Sequence, residues 1–376
     1  MSERGAVKAE RDSTGAVSER ERKVLGIIET ARAKRPRFKD ETVTMAHGAG
    51  GKAMQTLIEG LLVPALAEEG ETLEQMGDAG VVAIDDLGLA ISTDSYVVRP
   101  IRFPGGSIGE LAVNGTANDL AVAGARPRAL SLSLILEEGL PAAALRAEVE
   151  AIAAAAAVAE VEIATGDTKV VERGHADGIY ICTAGIGKLD PRAELSPRGL
   201  RPGDRVLVSG TVGDHGSAIM LARDEFSLDA EIRSDTRPLW PAVDALLEAA
   251  GSELHCMRDA TRGGVASVLN ELARSSAVAI GVREADVPVA PAVAGAAEML
   301  GIDPMYVANE GKLVAFIAPD RAEEALAALR SVPGCEDAAE IGEVKAEPPG
   351  MVLVETAFGG RRVMDQLVGD PLPRIC

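Results

Sequence analysis

Aromatic side chains are nearly absent from this 376-residue chain: one Trp, three Tyr and five Phe. The core must therefore be built from Ala, Val, Leu and Ile. The stacking platforms on which single-strand nucleic-acid binders rely are missing. Cysteine is as scarce, with four residues, Cys182, Cys256, Cys335 and Cys376, and no CxxC pair. The four histidines (47, 175, 215 and 255) show no HxxxH spacing, which argues against a zinc site. There is no G-x-x-x-x-G-K-S/T phosphate loop. No apolar run reaches membrane-spanning length, because the Ala-rich "AIAAAAAVAEVEIA" is interrupted by glutamates. The N-terminus has no apolar signal segment, so the expected setting is a reducing cytoplasm with free thiols. A net charge of −20 repels polyanions and argues against nucleic-acid partners.

What is present describes a globular chain of 47% apolar and 26% charged residues, long enough for two or three domains. Residues 1–40 carry 11 Lys+Arg against 7 Asp+Glu and read as a basic, poorly ordered extension. Strand and helix patterns then alternate. "VVAIDDLGLAIST" reads as two strands around a turn, and "IGELAVNGTANDLAVAG" as a helix closing at Gly124. Pro141 opens an Ala-rich helix. "GIYICTAGIG" and "DRVLVSGTVG" read as Gly-bounded strands separated by the Pro- and charge-rich "LDPRAELSPRGLRPGD". This places a boundary near residue 195 and gives an α+β chain with domains at 41–195 and 196–358 and a mobile tail at 359–376. In the second half, helices follow Gly264 and cover "AVAGAAEMLG" and "RAEEALAALRSV", around the strands "GKLVAFIAP" and "GMVLVET".

Acidic residues beside glycines or at strand ends are the main chemical signal: Asp78, Asp94, Asp119 with Asn118, and Asp167 with Thr168 and Lys169. One Asp beside Gly is usually a turn residue. Four in one domain can assemble an oxygen-rich site for a hard cation such as Mg²⁺, which bridges phosphates. "HGAGGKAM" contributes Gly50, Gly51 and Lys52 at a helix start, and "MRDATRGGVAS" contributes Asp259, Arg262, Gly263 and Gly264. Both can turn backbone N–H groups toward an anion. "GDHGSAI" (Asp214, His215) and "ANEGK" (Asn309, Glu310) complete the set, and the chain ends in "PLPRIC".

The order of these motifs resembles the ATP-dependent family that includes aminoimidazole ribonucleotide synthetase, selenophosphate synthetase and thiamine monophosphate kinase. The resemblance is greatest to the HypE carbamoyl dehydratases of nickel–iron hydrogenase maturation. It spans residues 42–376 and rests on "HGAGGK", "STDSYVV", "FPGG", "NDLAVAGARP", "GDTKVV", "GDHGSAI", "DATRGG", "ANEGK" and above all "PRIC". Ser107 stands where an acidic residue is expected. The resemblance implies a two-domain fold of mixed and antiparallel sheets covered by helices, and a homodimer formed through first-half strands. It implies ATP bound by Gly50, Gly51, Lys52, Asp78, Asp94, Asn118, Asp119, Asp167, Thr168, Asp259, Arg262 and Gly263, and Mg²⁺ held by Asp78, Asp94, Asp119 and Asp167. A partner carbamoyltransferase would load Cys376, and ATP would convert the thiocarbamate to a thiocyanate. The cyano group would pass to iron on a scaffold complex. Lys169 and Glu310 are both candidates for the base, and sequence leaves the choice open. An ATP-dependent enzyme of the selenophosphate synthetase or thiamine phosphate kinase type, and a non-catalytic nucleotide-binding scaffold with a docking tail, are the competing readings.

Overall fold

A computed structural model of the chain describes residues 37–48, 51–66, 77–223, 231–367 and 374–376. The expected extension therefore lies outside the described residues up to 36, as does Gly50. Helix α1 (Lys52–Leu57) precedes strands β1 (Gly80–Ile84) and β2 (Leu87–Tyr96). A short hairpin of β3 (Arg102–Phe103) and β4 (Gly106–Ser107) leads into helix α2 (Ile108–Val122). Then come β5 (Ala125–Glu137), α3 (Ala142–Val158), β6 (Glu162–Val171) and β7 (Ile179–Leu189). These build a five-stranded sheet in the order β1-β2-β7-β5-β6, in which only β5 and β6 run parallel, joined by the α3 crossover.

The second half runs β8 (Arg205–Val208), α4 (Asp214–Ala222), α5 (Trp240–Ala250), β9 (Leu254–Asp259), α6 (Gly264–Ser275) and β10 (Ala279–Arg283). It continues through α7 (Pro291–Leu300), β11 (Leu313–Ile317), α8 (Ala322–Arg330), β12 (Ala339–Lys345), β13 (Met351–Glu355) and β14 (Arg361–Met364). Its seven strands are ordered β14-β13-β10-β12-β8-β11-β9, with β10 and β13 parallel and the other pairs antiparallel. The architecture is the expected two-sheet α+β fold. One boundary is corrected: Arg361–Met364, read from sequence as tail, pair with β13 at the sheet edge, and Met364 is fully buried. Strand β5 was not read as a strand at all. Its Pro127 cannot donate to a ladder, and the chain accommodates it where the register with β7 slips between Pro127 and Ala129.

Helix α2 fixes the relation of the two halves. Every residue in it is buried except Glu110 and Asp119. Such a helix must be covered on all sides: it packs on β2, β5 and β7 of the first sheet and on α5 and β9 of the second half. Gly115 is required by this packing, since a Cβ there would stand 2.2 Å from the Tyr96 hydroxyl. Asp119 is therefore the one acidic side chain that the C-terminal part of this buried helix delivers to a cleft between the halves.

Candidate active site

Three carboxylates converge in that cleft: Asp78 just before β1, Asp119 on α2 and Asp259 at the end of β9, with one oxygen of each lying within 4.8 Å of the others. Asp94 adds to their field from β2, where Tyr96 and Thr116 hydroxyls donate to its Oδ2 at 3.1 and 3.3 Å. Burial, reinforced by the neighbouring carboxylates, pushes Asp119 and Asp259 well above the usual carboxylate range. Burial also raises Asp78, to about 6, although Arg258 donates to it. A cluster of partly buried acids that Arg258 only partly compensates is the donor set of a hard divalent cation, whose charge offsets the repulsion. The residues present therefore fit Mg²⁺, with Asp259 in the triad and Asp94 beside it.

Asp167 does not join this group. Across the first sheet Asp167 pairs with Ser133, Ser133 with Cys182, and Cys182 with Ser95. Cross-strand partners share a face, so Asp167 lies three strand spacings (about 14 Å) from Ser95. It also points to the face opposite that of Asp94. Lys169 shares the outer face, its Nζ is 3.0 Å from Asp167 Oδ2, and both side chains are more than 60% exposed. Thr168 is exposed as well. Within one chain, these three expected site residues are apart from the acidic cluster.

The Gly-rich stretches do reach the cleft. A cavity of about 250 Å³ is lined by Gly51, Gln55, Asp78, Arg258, Asp259, Thr261, Arg262, Glu271, Arg274 and Gln366, among others. Lys52 turns away, pairing with Asp365 at 2.8 Å. Gly263 and Gly264, at φ 77° and 61°, start α6 in the left-handed region. Gly264 also meets the Met305 and Val307 carbonyls, which a Cβ would approach to 2.6 Å, so close chain packing demands this glycine as well. Arg262 Nη1 donates to the Gly48 carbonyl at 2.9 Å and tethers the N-terminal loop to the site.

The chain end closes the other side. A cavity of about 40 Å³ is bounded by Asp94, Tyr96, Asp119, Asp259, Thr261, Arg262, Glu310 and Cys376. The Cys376 thiol lies within hydrogen-bonding reach of the Glu310 side chain, and burial pushes it up to about 12 against the pull of Arg262. Burial, Asp259 and Asp235 hold Glu310 well above its ordinary range, and its Oε1 has no partner among the described residues. The Glu310 backbone is clamped at both ends. Its N–H donates to Asp235 Oδ1 at 3.0 Å, and Asn118 Nδ2 donates to its carbonyl at 3.2 Å. Asn118 is thus a brace between α2 and the Glu310 loop. Asp235 is in turn paired with the buried Lys312 at 3.0 Å. Sequence reasoning passed over Asp235, Arg258 and Arg223. Arg258 stood in the quoted "MRDATRGGVAS" but was overshadowed by its neighbour Asp259, while Asp235 and Arg223 lie outside every motif singled out.

Both halves of the chain match known protein domains. Residues 76–189 match the N-terminal domain, and residues 201–354 the C-terminal domain, of AIR synthase related proteins. The carbamoyl dehydratase HypE of Bradyrhizobium diazoefficiens is 49% identical over 334 residues, 89% of this chain and 96% of its own length. A solved HypE–HypF complex gives a TM-score of 0.78 at 42% identity, covering 83% of this chain and 99% of that one. HypE solved in complex with ATP gives 0.74 at 44% identity, covering 89% and 100%. Among the described residues no helix is long and apolar enough to cross a membrane. With both domain matches in sequence order, and relatives nearly half identical along almost their whole length, the chain belongs to the HypE family of carbamoyl dehydratases.

Proposed function

We propose that this chain uses Mg²⁺-ATP to dehydrate an S-carbamoyl group on its own Cys376 to a thiocyanate, supplying the cyanide ligand for hydrogenase iron. The observation that carries the reading is the seating of the terminal thiol among Glu310, Arg262 and the acidic cluster. Asp78, Asp119 and Asp259 would hold the metal, with Asp94 beside them. Metal-bound ATP supplies a phosphoryl group that turns the carbamoyl oxygen into a leaving phosphate. The C–O bond breaks as two N–H protons depart and the C≡N bond forms. Glu310 is the base for this: its carboxyl adjoins the sulfur, and desolvation makes it more basic than a surface glutamate. Arg262 faces the same point and offsets the negative charge gathered there.

Carbamoyl loading takes place elsewhere. A thiol pushed up to about 12 is protonated at neutral pH and a poor nucleophile. The partner carbamoyltransferase, of the HypF kind, must receive the tail in its own site, and the iron-carrying scaffold must do so again for cyano transfer. All of this belongs in the cytoplasm.

A second copy of the chain completes the assembly in this reading. The outer face of the first sheet carries Val82, Ile84, Ile91 and Ile186, each at least 40% exposed. Continuous apolar exposure of this kind marks an interface. Asp167, Thr168 and Lys169 lie on the edge strand of that sheet. We assign them to the nucleotide site of the second copy, since they cannot reach their own. The test of the central reaction is mass analysis of the C-terminal peptide after incubation with the carbamoyltransferase, carbamoyl phosphate and ATP. An adduct on Cys376 that then loses water supports it.

A further inference from the structure

His215, Arg223 and Asp177 have no part in the chemistry above, yet all three converge on the last three residues. His215 Nε2–H donates to the Ile375 carbonyl at 2.7 Å. Arg223 Nη2 donates to the Arg374 carbonyl at 2.6 Å, and its Nε to the Arg99 carbonyl at 2.9 Å, so one guanidinium ties the tail to the segment after β2. Asp177 forms an ion pair with the Arg374 guanidinium. Between these fixings, the Val97 and Arg99 N–H groups donate to the Cys376 and Arg374 carbonyls at 3.2 and 3.3 Å. The tail thus adds two antiparallel rungs beyond β2. The Ile375 side chain is 5% exposed, in the core of the first half.

We infer that His215, Arg223 and Asp177 are positioning residues of a built-in seat for Arg374-Ile375-Cys376, which sets the depth of the sulfur against Glu310 and the balance between docked and released tail. The His215 ring is organised for one task. It is fully buried, Phe103 packs edge-on to it at 5.5 Å, and the Ser234 hydroxyl lies 2.8 Å from Nδ1. A carbonyl can only accept, so Nε2 carries the proton and Nδ1 accepts from Ser234. Gly213 at φ 85° begins α4 and lets this side chain turn inward. The seat reads backbone carbonyls, the Arg374 guanidinium and the Ile375 side chain, none of which is the sulfur, so a carbamoyl or cyano group on sulfur leaves these contacts intact. Docking is therefore available to the tail in each chemical state, and release is available to both partner proteins.

This inference rests on Cys376 being the reacting group, but its physical readout needs neither ATP nor a partner. In the full-length protein, Cys376 alkylation by iodoacetamide is followed by mass analysis of each cysteine peptide. Arg223→Ala, a change at a partly exposed side chain, is expected to raise the Cys376 rate about five- to tenfold, as the loss of its hydrogen bond to the Arg374 carbonyl implies, and to leave Cys256 unchanged. His215→Leu is expected to do the same, while His215→Gln, whose amide N–H can replace Nε2–H, stays within about twofold of wild type. With the carbamoyltransferase added, Arg223→Ala accepts the carbamoyl group at least as fast as wild type but loses water from it several-fold more slowly, with ATP affinity unchanged. Unaltered Cys376 protection in Arg223→Ala, or a rise shared by Cys256, overturns the seat. Altered protection in a protein whose wild-type form never dehydrates the adduct leaves the seat standing and removes the proposed reaction instead.

Discussion

The Cys376 thiol and the Glu310 carboxyl meet inside a cavity of about 40 Å³, although 65 residues of sequence separate them. Glu310 is held there by its backbone, between Asp235 and Asn118, while its Oε1 is left without a partner among the described residues. A buried acid with a rigid stem and an open oxygen is suited to taking a proton. Glu310→Gln is expected to lower the rate of thiocyanate formation by about 10²–10⁴-fold. The carbamoyl adduct still forms on Cys376, because the partner's site does that work. Wild-type dehydration rates in this variant, measured by single-turnover mass analysis, would remove Glu310 from the role.

The metal assignment distinguishes Asp259 from Asp167. Asp119→Asn and Asp259→Asn are expected to lose Mg²⁺-ATP turnover by more than the roughly 10–100-fold typical of an outer-shell change. Neither lowers the melting temperature of the metal-free protein, since each removes a carboxylate from a mutually repelling cluster. A melting temperature several degrees lower would show that the cluster is instead a stabilising network.

The docked thiol has its own pH signature. Burial raises it to about 12, so the docked state is fully favoured below the free thiol's ordinary value of about 8.5. That advantage is lost as pH rises from there toward the docked value. Alkylation of a free tail peptide is expected to level off above about pH 9, whereas Cys376 in the protein keeps accelerating. Superimposable profiles would mean that the tail is not seated in solution.

Lys169 gives the assembly a direct test. Chains carrying Cys376→Ala and chains carrying Lys169→Ala are each expected to be inactive alone. When they are mixed and allowed to exchange subunits, sites with Cys376 from one chain and Lys169 from the other are complete, and dehydration returns. No recovery in mixed dimers verified by mass would contradict the assignment of Lys169 to the second copy's site.

Asp235 is expected to matter for stability as well as geometry. It is buried against Lys312, and although burial opposes its charge, Lys312, His215 and the backbone N–H of Glu310 bring it below the ordinary range. Its contribution is present above the unfolded carboxylate value of about 3.9 and is lost as pH falls through the lower folded value. Asp235→Ala leaves Lys312, among the described residues, with Asp214 alone at 3.5 Å, and is expected to cost about 3 kcal/mol, read by denaturant unfolding. A loss below 1 kcal/mol would contradict this account.

The sequence made the two-sheet α+β fold legible because its strands are short apolar runs bounded by glycine and its helices repeat at 3.6 residues. It made Asp78, Asp94, Asp119, Asp259, Arg262, Glu310 and Cys376 legible because each sits in a compact motif that the fold leaves intact in one cleft. That Asp167 and Lys169 stand apart from the cluster within one chain was not legible, because a motif does not say which face of a sheet it occupies. That depends on the pairing of β6 with β5, three strands from Asp94. The tail was begun too early, because "GGRRVMDQ" has too few apolar residues to announce an edge strand whose pairing with β13 comes from its backbone. Cys182, inside the apolar run "GIYICTAGIG", is half-buried on the outer face, 3.3 Å from Ser95 Oγ, which the run alone does not show. His215 stood in a quoted motif with no role, because its partner is 160 residues away at the chain end.

The most direct measurement is the mass of the C-terminal peptide of the wild-type protein, taken before and after ATP is added to a preparation already loaded by the carbamoyltransferase. The account predicts a carbamoyl adduct confined to Cys376, followed by loss of one water when Mg²⁺ and ATP are both present, and no loss when either is withheld. An adduct on Cys182, Cys256 or Cys335, or a Cys376 adduct whose mass ATP leaves unchanged in the folded protein, would contradict it.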